Sequence, residues 1–194
     1  MTKDNNNDTK SNKKYTTILA DPPWDLNQQG KRGASSHYNL MTLEQIKAMP
    51  IADLAEDNAH LWLWIPTNEL EKGYEVVRAW GFTPKSVYTW CKPKLGLGNY
   101  LRGGTEHCIF AIRGNLPIQF KAQMNWGFHP LQDHSHKPEE FHEIIKRCSP
   151  PDYLELFARR KYADFDVWGN EIESDVVIPN YPVPKYSSKA KGTK

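Results

Sequence analysis

The chain has 194 residues, 39% of them hydrophobic and 25% charged, which is typical of one α/β domain with a substantial core. It contains no run of about 18 apolar residues and no apolar signal core, so we expect neither a membrane span nor a secretory signal, and we expect a cytoplasmic protein. The net charge of +2 is uneven, with +2 on residues 1–14, +4 on 185–194 and −4 on 15–184. We therefore predict disordered polar tails at 1–14 and 185–194 around one domain over 15–184.

The first half of this domain predicts strands that alternate with helices. Residues 15–19 are rich in β-branched side chains and predict a strand. A capping box at 42–45 opens a short helix that Pro50 ends. Residues 59–65 form a near-continuous apolar run, as expected of a strand covered on both faces, and residues 67–82 then predict a helix.

The second half adds four strands, a long polar loop and a helix. They are predicted, in chain order, as strands at 85–91 and 106–114, a loop at 121–136, a helix at 137–148, and strands at 153–159 and 163–171. The helix should bury Phe141, Ile144, Ile145 and Cys148 on one face. Six strands with interleaved helices favour an α/β, Rossmann-like fold, with a mostly parallel doubly wound sheet and helices on both faces. Ligands bind such sheets beyond the carboxyl ends of the strands.

Metal sites and disulfides are not expected. The three cysteines are distant from one another and lack CxxC spacing, so they are interpreted as buried thiols. His129, His134 and His136 share the predicted loop, but their spacing fits no standard zinc site. His107 lies in an apolar strand and is interpreted as a core histidine with satisfied hydrogen bonds.

Asp21, Pro22, Pro23 and Trp24 directly follow the first predicted strand. Neither proline has an N–H, so the tetrapeptide presents carbonyl acceptors beside one carboxylate. A surface that offers hydrogen-bond acceptors but no donors suits an exocyclic amino group of a nucleobase. Asp21 and the Pro22 carbonyl can accept hydrogen bonds from that amino group. Trp24 offers a ring on which the base can stack. These four residues are therefore candidate catalytic residues.

The polar segment at 27–38 could close over a base that has left its stack, and it places Lys31 and Arg32 among the candidate substrate-binding residues. The alternative for the diproline is a simple turn. Pro150 and Pro151 are an example in the same chain, because they only end a helix. The acid before the prolines, the aromatic after them and the strand upstream favour the catalytic interpretation.

Seven sequence blocks carry a family resemblance. They are LADPPWD, HLWLWIPTNEL, WCKPK, GTEHCIFAIRGN, SHKPEEFHEIIKRCSP, LELFAR and VWGNE, in that order. With them the chain resembles the MT-A70 adenine methyltransferases from about residue 15 to residue 171. The resemblance implies S-adenosylmethionine as cofactor, S-adenosylhomocysteine as product, no metal, and methyl transfer to the 6-amino group of adenine in nucleic acid.

The resemblance also implies site residues. Those on the cofactor side are Asp21, Lys137 for the methionine carboxylate, and Arg159, Asn170 and Glu171 for the nucleoside half. Those on the substrate side are Trp24, Trp90, Lys92 and Glu106. Lys137 could instead be a solvated lysine at a helix start, Trp90 a packing aromatic, and Arg159 part of a basic surface patch.

Three functional questions stay open at this point. The chain could be a non-catalytic partner subunit that binds nucleic acid, although it keeps the tetrapeptide and Lys137. It could also methylate another amine. The compact chain leads us to prefer DNA over RNA as substrate, and a homodimer or a protein partner could supply further affinity.

Overall fold

The computed structural model describes residues 13–25, 40–96, 100–132, 136–169, 172–178 and 181. Within these ranges seven strands form one sheet: β1 Tyr15–Ala20, β2 Ala55–Ile65, β3 Thr83–Cys91, β4 Thr105–Arg113, β5 Trp126–Phe128, β6 Tyr153–Leu156 and β7 Phe165–Trp168. Their order is β5-β3-β4-β2-β1-β6-β7. β4 runs antiparallel to β2 and β3, and the other four pairings are parallel. The predicted α/β, Rossmann-like, mostly parallel sheet is confirmed.

One strand was not expected from the sequence. The predicted loop over 121–136 is wrong at Trp126–Phe128, which forms β5 against the end of β3. β5 is three residues long, lies at the edge of the sheet and leaves Trp126 and Phe128 exposed. A strand this short has too few residues for a periodic pattern to emerge.

Four α-helices lie within the described ranges, α1 Leu43–Lys47, α2 Ile51–Leu54, α3 Leu70–Ala79 and α4 Glu140–Cys148, and a 3-10 helix at Thr67–Glu69 precedes α3. The predicted capping box at the start of α1 is confirmed, because Thr42 and Gln45 each bond to the other's backbone N–H. α4 begins at Glu140, three residues later than predicted. Glu139 is its N-cap, and the Pro138 carbonyl accepts the hydrogen bond of the Phe141 N–H.

The helices cover both faces of the sheet, as predicted. On one face, α1, α2 and α3 pack against alternate residues of β1 and β2, among them Ile18, Leu61 and Leu63. On the other face, α4 packs against Leu19, Trp62 and other side chains. The predicted buried face of α4 is confirmed, since Phe141, Ile144, Ile145 and Cys148 all lie in this second core.

A buried polar network fixes the end of α4 to the sheet. The Ser149 hydroxyl lies 2.8 Å from His60 Nδ1 and accepts a hydrogen bond from Trp62 Nε1 at 3.0 Å. His60 Nε2 lies 2.9 Å from the Leu116 carbonyl oxygen. Because His60 and Ser149 are fully buried, satisfying these groups avoids the desolvation cost of an unpaired polar atom. The network holds α4 in place over β2.

The described ranges include no helix with the length and apolarity needed to cross a bilayer. The predicted tails lie outside these ranges apart from Lys13 and Lys14. Lys13 forms an ion pair with Asp166 at 2.8 Å, which connects the start of β1 to β7.

Candidate active site

Four charged side chains from four parts of the chain meet at one edge of the sheet. Asp21 follows β1, Lys92 follows β3, and Lys137 precedes α4. Glu106 lies at the start of β4. Because β4 is antiparallel to its neighbours, its first residues lie at the edge where the parallel strands end. The fold therefore brings together residues more than 100 positions apart in the sequence.

Lys137 is the centre of this cluster. Its Nζ donates a hydrogen bond to Asp21 Oδ2 at 2.7 Å and lies 3.4 Å from Glu106 Oε2. Burial alone lowers the pKa of Lys137, but attraction to Asp21 and Glu106 outweighs it, so the net pKa is raised and the ammonium stays charged. The alternative of a solvated lysine at a helix start is wrong, because the side chain is only 18% exposed and is paired with two acids.

Glu106 is the second acid of the cluster. Its other oxygen accepts a hydrogen bond from Lys92 Nζ. Burial alone raises the pKa of Glu106, but the charges of Lys137 and Lys92 outweigh it, and the net pKa is lowered. Asp21, Lys137, Glu106 and Lys92 therefore form an alternating row of two anions and two cations. The assignment of Lys92 and Glu106 to the substrate side stays a prediction.

The proline carbonyls of the tetrapeptide already accept backbone hydrogen bonds. The Pro22 oxygen accepts from the Trp24 N–H at 2.9 Å, and the Pro23 oxygen accepts from the Met41 N–H at 2.8 Å. A carbonyl oxygen has two lone pairs, so each can still accept a second hydrogen bond. These backbone bonds give the segment after β1 a fixed shape and hold the carboxylate of Asp21 at the end of its strand.

Trp24 is buried, in contrast to the exposed stacking ring that the sequence suggested. It is 6% exposed, packs in the core beneath α1 and α3, and donates from Nε1 to the Trp64 carbonyl at 3.0 Å. Burial of a large aromatic ring stabilises the folded protein more than exposure does, provided that the ring N–H finds a hydrogen-bond acceptor. Stacking on a base is not available to Trp24 in this conformation, and the ring instead anchors the tetrapeptide.

Trp90 is also buried. It is 2% exposed, donates from Nε1 to the His129 carbonyl at 3.0 Å and meets the Trp64 ring edge-on. These contacts fit the alternative of a packing aromatic. Its link to the substrate side runs through Lys92, whose Nζ lies 4.8 Å from the ring centroid.

The candidate histidines are held by protein groups. His107 Nδ1 lies 3.1 Å from the Thr89 hydroxyl, and burial lowers the pKa of His107. His129 Nε2 lies 2.8 Å from the Tyr88 hydroxyl. In the described ranges, no cluster of His, Cys, Asp and Glu has the arrangement of a metal site, and His134 lies outside those ranges.

A pocket opens next to the charged cluster, between β1, β6 and the start of α4. Its wall includes Asp21, Lys137 and Arg159, three of the predicted cofactor residues. The other two, Asn170 and Glu171, lie outside the described residues, as do the predicted substrate residues Lys31 and Arg32. The pocket thus offers both signs of charge within one cavity.

Sequence reasoning missed further polar residues of this pocket, among them His142, Glu155 and Tyr162. His142 Nε2 lies 2.9 Å from Glu155 Oε2, and the Tyr162 ring stacks on the imidazole with 3.6 Å between centroids. His142 is 7% exposed, and its Nδ1 is buried without a hydrogen-bond partner among the described residues. The available signal was a histidine beside Phe141 on the core-facing side of a helix, where a polar residue is unusual.

The arrangement suits a zwitterionic ligand. A buried ammonium can bind a carboxylate, and an adjacent carboxylate can accept hydrogen bonds from an amine. Lys137 and Asp21 provide these two groups 2.7 Å apart in the wall of one pocket. An amino-acid group matches both at once.

Comparison with known proteins agrees with this site. A family model described as MT-A70 matches residues 15–171. The human N(6)-adenosine-methyltransferase catalytic subunit METTL3 is 29% identical over 157 residues, which cover 75% of this chain and 26% of that protein. The type II methyltransferase M.MunI of Mycoplasma sp is 28% identical over 196 residues, which cover 86% of this chain and 82% of that protein. The chain thus spans about a quarter of the length of the METTL3 relatives.

The family match includes both halves of the site. Its range runs from β1 and the tetrapeptide that follows it, through the strands that carry Lys92 and Glu106, to Lys137, Arg159 and the end of β7. In the sheet, the strands that carry Lys92 and Glu106 lie on one side of β1, and β6 and β7 lie on the other. The resemblance seen in the sequence is confirmed, and the chain belongs to the MT-A70 family.

Proposed function

We propose that this protein transfers a methyl group from S-adenosylmethionine to the 6-amino group of adenine in nucleic acid, with DNA preferred over RNA. The observation that carries the proposal is the ion pair of Lys137 and Asp21 at 2.7 Å, in the wall of a pocket at the ligand-binding edge of the sheet. Membership of the MT-A70 family and the names of the relatives support the reaction class.

The residues of the pocket fit S-adenosylmethionine. The amino-acid end of the cofactor carries a carboxylate for Lys137 and an ammonium for Asp21 or Glu106. Arg159 lines the same pocket and remains the candidate for the nucleoside half. The amino-acid end would therefore lie against the charged cluster, next to the residue that receives the adenine amine.

Bound S-adenosylmethionine supplies a methyl group on a positively charged sulfur, which is transferred by in-line displacement. The role of the protein is to position and polarise the amine. The carboxylate of Asp21 and the free lone pair of the Pro22 carbonyl accept the two amine hydrogens, which directs the nitrogen lone pair toward the methyl group. Asp21 need not be a strong base, because the methylated amine loses its proton readily.

The preference for DNA rests on the match to the type II methyltransferase M.MunI, a relative that the chain covers over 82% of its length. The METTL3 relatives, which are named as adenosine methyltransferases, are covered over only about a quarter. A homodimer or a protein partner and a cytoplasmic location stay predictions.

The test uses isotopically labelled cofactor with DNA and RNA oligomers of the same sequence. The expected product is N6-methyladenine in the DNA oligomer, identified by nucleoside mass spectrometry. An oligomer whose adenines are already N6-methylated is the substrate control, and the Asp21→Asn variant is the enzyme control. Binding of S-adenosylhomocysteine without methylation of either nucleic acid would contradict the proposal.

A further inference from the structure

Charge is strongly segregated in this chain. Residues 76–132 contain seven Lys and Arg but a single acid, Glu106, and that acid is paired with Lys92 and Lys137. Their formal charge is +6, which leaves −10 on the rest of the domain over 15–184. This segment builds β3, β4 and β5, so one side of the sheet is basic while the remainder of the domain is acidic.

The same segment exposes aromatic rings. Trp126 is 50% exposed and Phe128 is 66% exposed, and they are two residues apart on β5. Side chains at this spacing point to the same face of a sheet and lie about 6.6 Å apart along the strand. The rings of Trp126 and Phe128 therefore form an aromatic pair on the edge strand, the β5 aromatic pair.

The β5 aromatic pair lies on the side of the sheet away from α4. Trp126 is in register with Thr89, and Phe128 is in register with Cys91. Trp90, between those two β3 residues, points to the core beneath α4, so its neighbours point to the opposite face. Neither aromatic ring belongs to either hydrophobic core.

This face ends at the edge of the sheet that holds the charged cluster, which lies on the opposite, α4 face, because Glu106 is in register with Trp90. Phe128 pairs with the last residue of β3, and the next residue is Lys92, which is bonded to Glu106. A chain of nucleotides lying on β5 would therefore reach the charged cluster by passing over the ends of β5 and β3. Lys85 on β3 and Lys121 before β5 are exposed and lie in the same basic segment.

We propose that the β5 aromatic pair and the surrounding basic residues bind an unpaired stretch of the nucleic-acid substrate next to the target adenine. This inference rests on the proposed function and adds the surface and the strand state of the substrate. Exposed aromatic rings in a basic surface stack on the faces of unpaired bases, whereas a duplex hides those faces. The charge of the segment matches a polyanion, and it would repel a second copy of the same basic face.

The test measures the affinity of the full-length protein for a fluorescent single-stranded DNA oligomer that contains adenine, in the presence of S-adenosylhomocysteine. The double variant Trp126→Ala/Phe128→Ala should bind about thirtyfold more weakly or worse, since each stacked base contributes a factor of at least about five. The salt dependence of binding should not change. The Km for the oligomer should rise with little change in kcat, and cofactor affinity by calorimetry should be unchanged.

Three matched variants sharpen the test. Trp126→Phe/Phe128→Tyr keeps two rings and should stay within about threefold of the wild type. Val177→Ala removes an apolar side chain that is 58% exposed outside the basic segment and should have no effect on affinity. Lys85→Gln/Lys121→Gln should lower the slope of log affinity against log salt by about 0.7 for each phosphate that the protein no longer neutralises, and Lys47→Gln on α1 should not.

Unchanged single-strand affinity in Trp126→Ala/Phe128→Ala would overturn the inference. An equal loss on a fully paired duplex would also overturn it, because stacking requires unpaired bases. Dissociation of a wild-type dimer by the same variant, seen in sedimentation with affinity per protomer unchanged, would assign the surface to a protein interface instead. A wild-type protein that binds cofactor but no nucleic acid would contradict the proposed function itself.

Discussion

Lys137 illustrates how a residue's surroundings decide its chemistry. Its sequence position, just before a helix, is typical of a solvated lysine, yet the fold places it between Asp21 and Glu106 in the pocket wall. A cation in that position lowers the pKa of Glu106 and forms an ion pair with Asp21. Asp21, the candidate catalytic acid, is in direct contact with Lys137, the candidate cofactor residue. Variants of these two residues therefore need to be distinguished by different measurements.

Asp21→Asn should abolish methyl transfer while cofactor affinity stays within a few fold, because the amide oxygen can still accept a hydrogen bond from the cofactor ammonium and Glu106 remains beside Lys137. The substitution keeps the size of the side chain and removes the charge that positions the amine, a loss that should cost about 2–4 kcal/mol of transition-state stabilisation. Turnover is measured by product mass and cofactor binding by calorimetry. Turnover above about a tenth of the wild-type value would remove Asp21 from the mechanism.

Lys137→Ala should raise the cofactor dissociation constant at least about tenfold, consistent with the loss of one charge-assisted hydrogen bond. Lys92→Ala is the matched control, because it removes a lysine from Glu106 but leaves the pair of Lys137 and Asp21 intact. Thermal melting of both variants separates binding from folding. Equal cofactor affinities in the two variants would show that Lys137 is only a structural ion-pair partner.

Glu106 gives a prediction for acid pH. Although burial opposes ionisation, Lys137 and Lys92 lower the pKa of Glu106 in the folded state below its unfolded value. Its contribution to stability is therefore fully present above the unfolded pKa, about 4.3, and is lost as the pH falls through the lower folded pKa. The difference in melting temperature between the wild type and Glu106→Gln should shrink as the pH is lowered from 7 to 3. A constant difference over that range would contradict this linkage.

At the scale of the elements, a close backbone approach connects β6 and β7 beside the pocket. The Ala158 N–H donates to the Trp168 carbonyl at 3.0 Å, and a Cβ added to Gly169 would lie 1.9 Å from the Ala158 carbonyl oxygen. Only a residue without a side chain fits there. The segment that follows β6 and carries Arg159 is therefore placed by Gly169, at the end of β7.

Gly169→Ala should be strongly destabilising, by about 3 kcal/mol or more, and should weaken cofactor binding, because the backbone after β6 must move away from β7. Gly104→Ala is the matched control, since a Cβ there meets nothing within 4 Å. Both are measured by urea unfolding and by calorimetry with S-adenosylhomocysteine. The interpretation fails if Gly169→Ala and Gly104→Ala are equally stable.

The elements that the sequence predicted well are those with strong local patterns. The capping box at Thr42, the apolar run of β2 and the buried face of α4 all depend on neighbours in the sequence. The direction of β4 does not depend on neighbours in the sequence, because the alternation of side chains between the two faces is the same in parallel and antiparallel strands. β5 is too short for a pattern.

At the candidate site, the chemistry of individual residues was easier to predict than their surroundings. The acid of the tetrapeptide and Lys137 were identified, and the fold brings them to 2.7 Å. The burial of Trp24 was not, because an aromatic after two prolines is equally compatible with a stacking ring and with an anchor. Glu155 was missed since it lies within an apolar run, and His142 since it lies between Phe141 and Glu143 in a charged helix; each depends on a partner 13 residues away.

At the scale of the whole molecule, the two ends of the chain differ in charge. Residues 1–12 carry two Lys and two Asp, whereas residues 185–194 carry four Lys and no acid. Any long-range attraction from the ends should therefore come from the C-terminal segment. The first twelve residues provide a comparison segment of similar length with no net charge.

Deletion of 185–194 should weaken nucleic-acid binding mainly at low salt and should lower the salt slope by about 0.7–0.9 for each phosphate that these lysines neutralise, whereas deletion of 1–12 should not. Single-turnover rates at saturating substrate should survive both deletions, because no proposed site residue lies in either segment. The measurement is a salt series of binding isotherms for the three proteins. Parallel slopes would exclude a contribution from the C-terminal residues.

The antiparallel direction of β4 determines where this protein could accept insertions. Because β3 and β4 are antiparallel neighbours, the segment that joins them turns back at the site edge, with Trp90 opposite Glu106 and Cys91 opposite Thr105. Extra residues inserted in that turn would build outward over the substrate side and leave the strand register intact. The residues proposed to hold the cofactor follow other strands, so substrate range could diversify through insertions here while the proposed methyl-donor half is inherited unchanged.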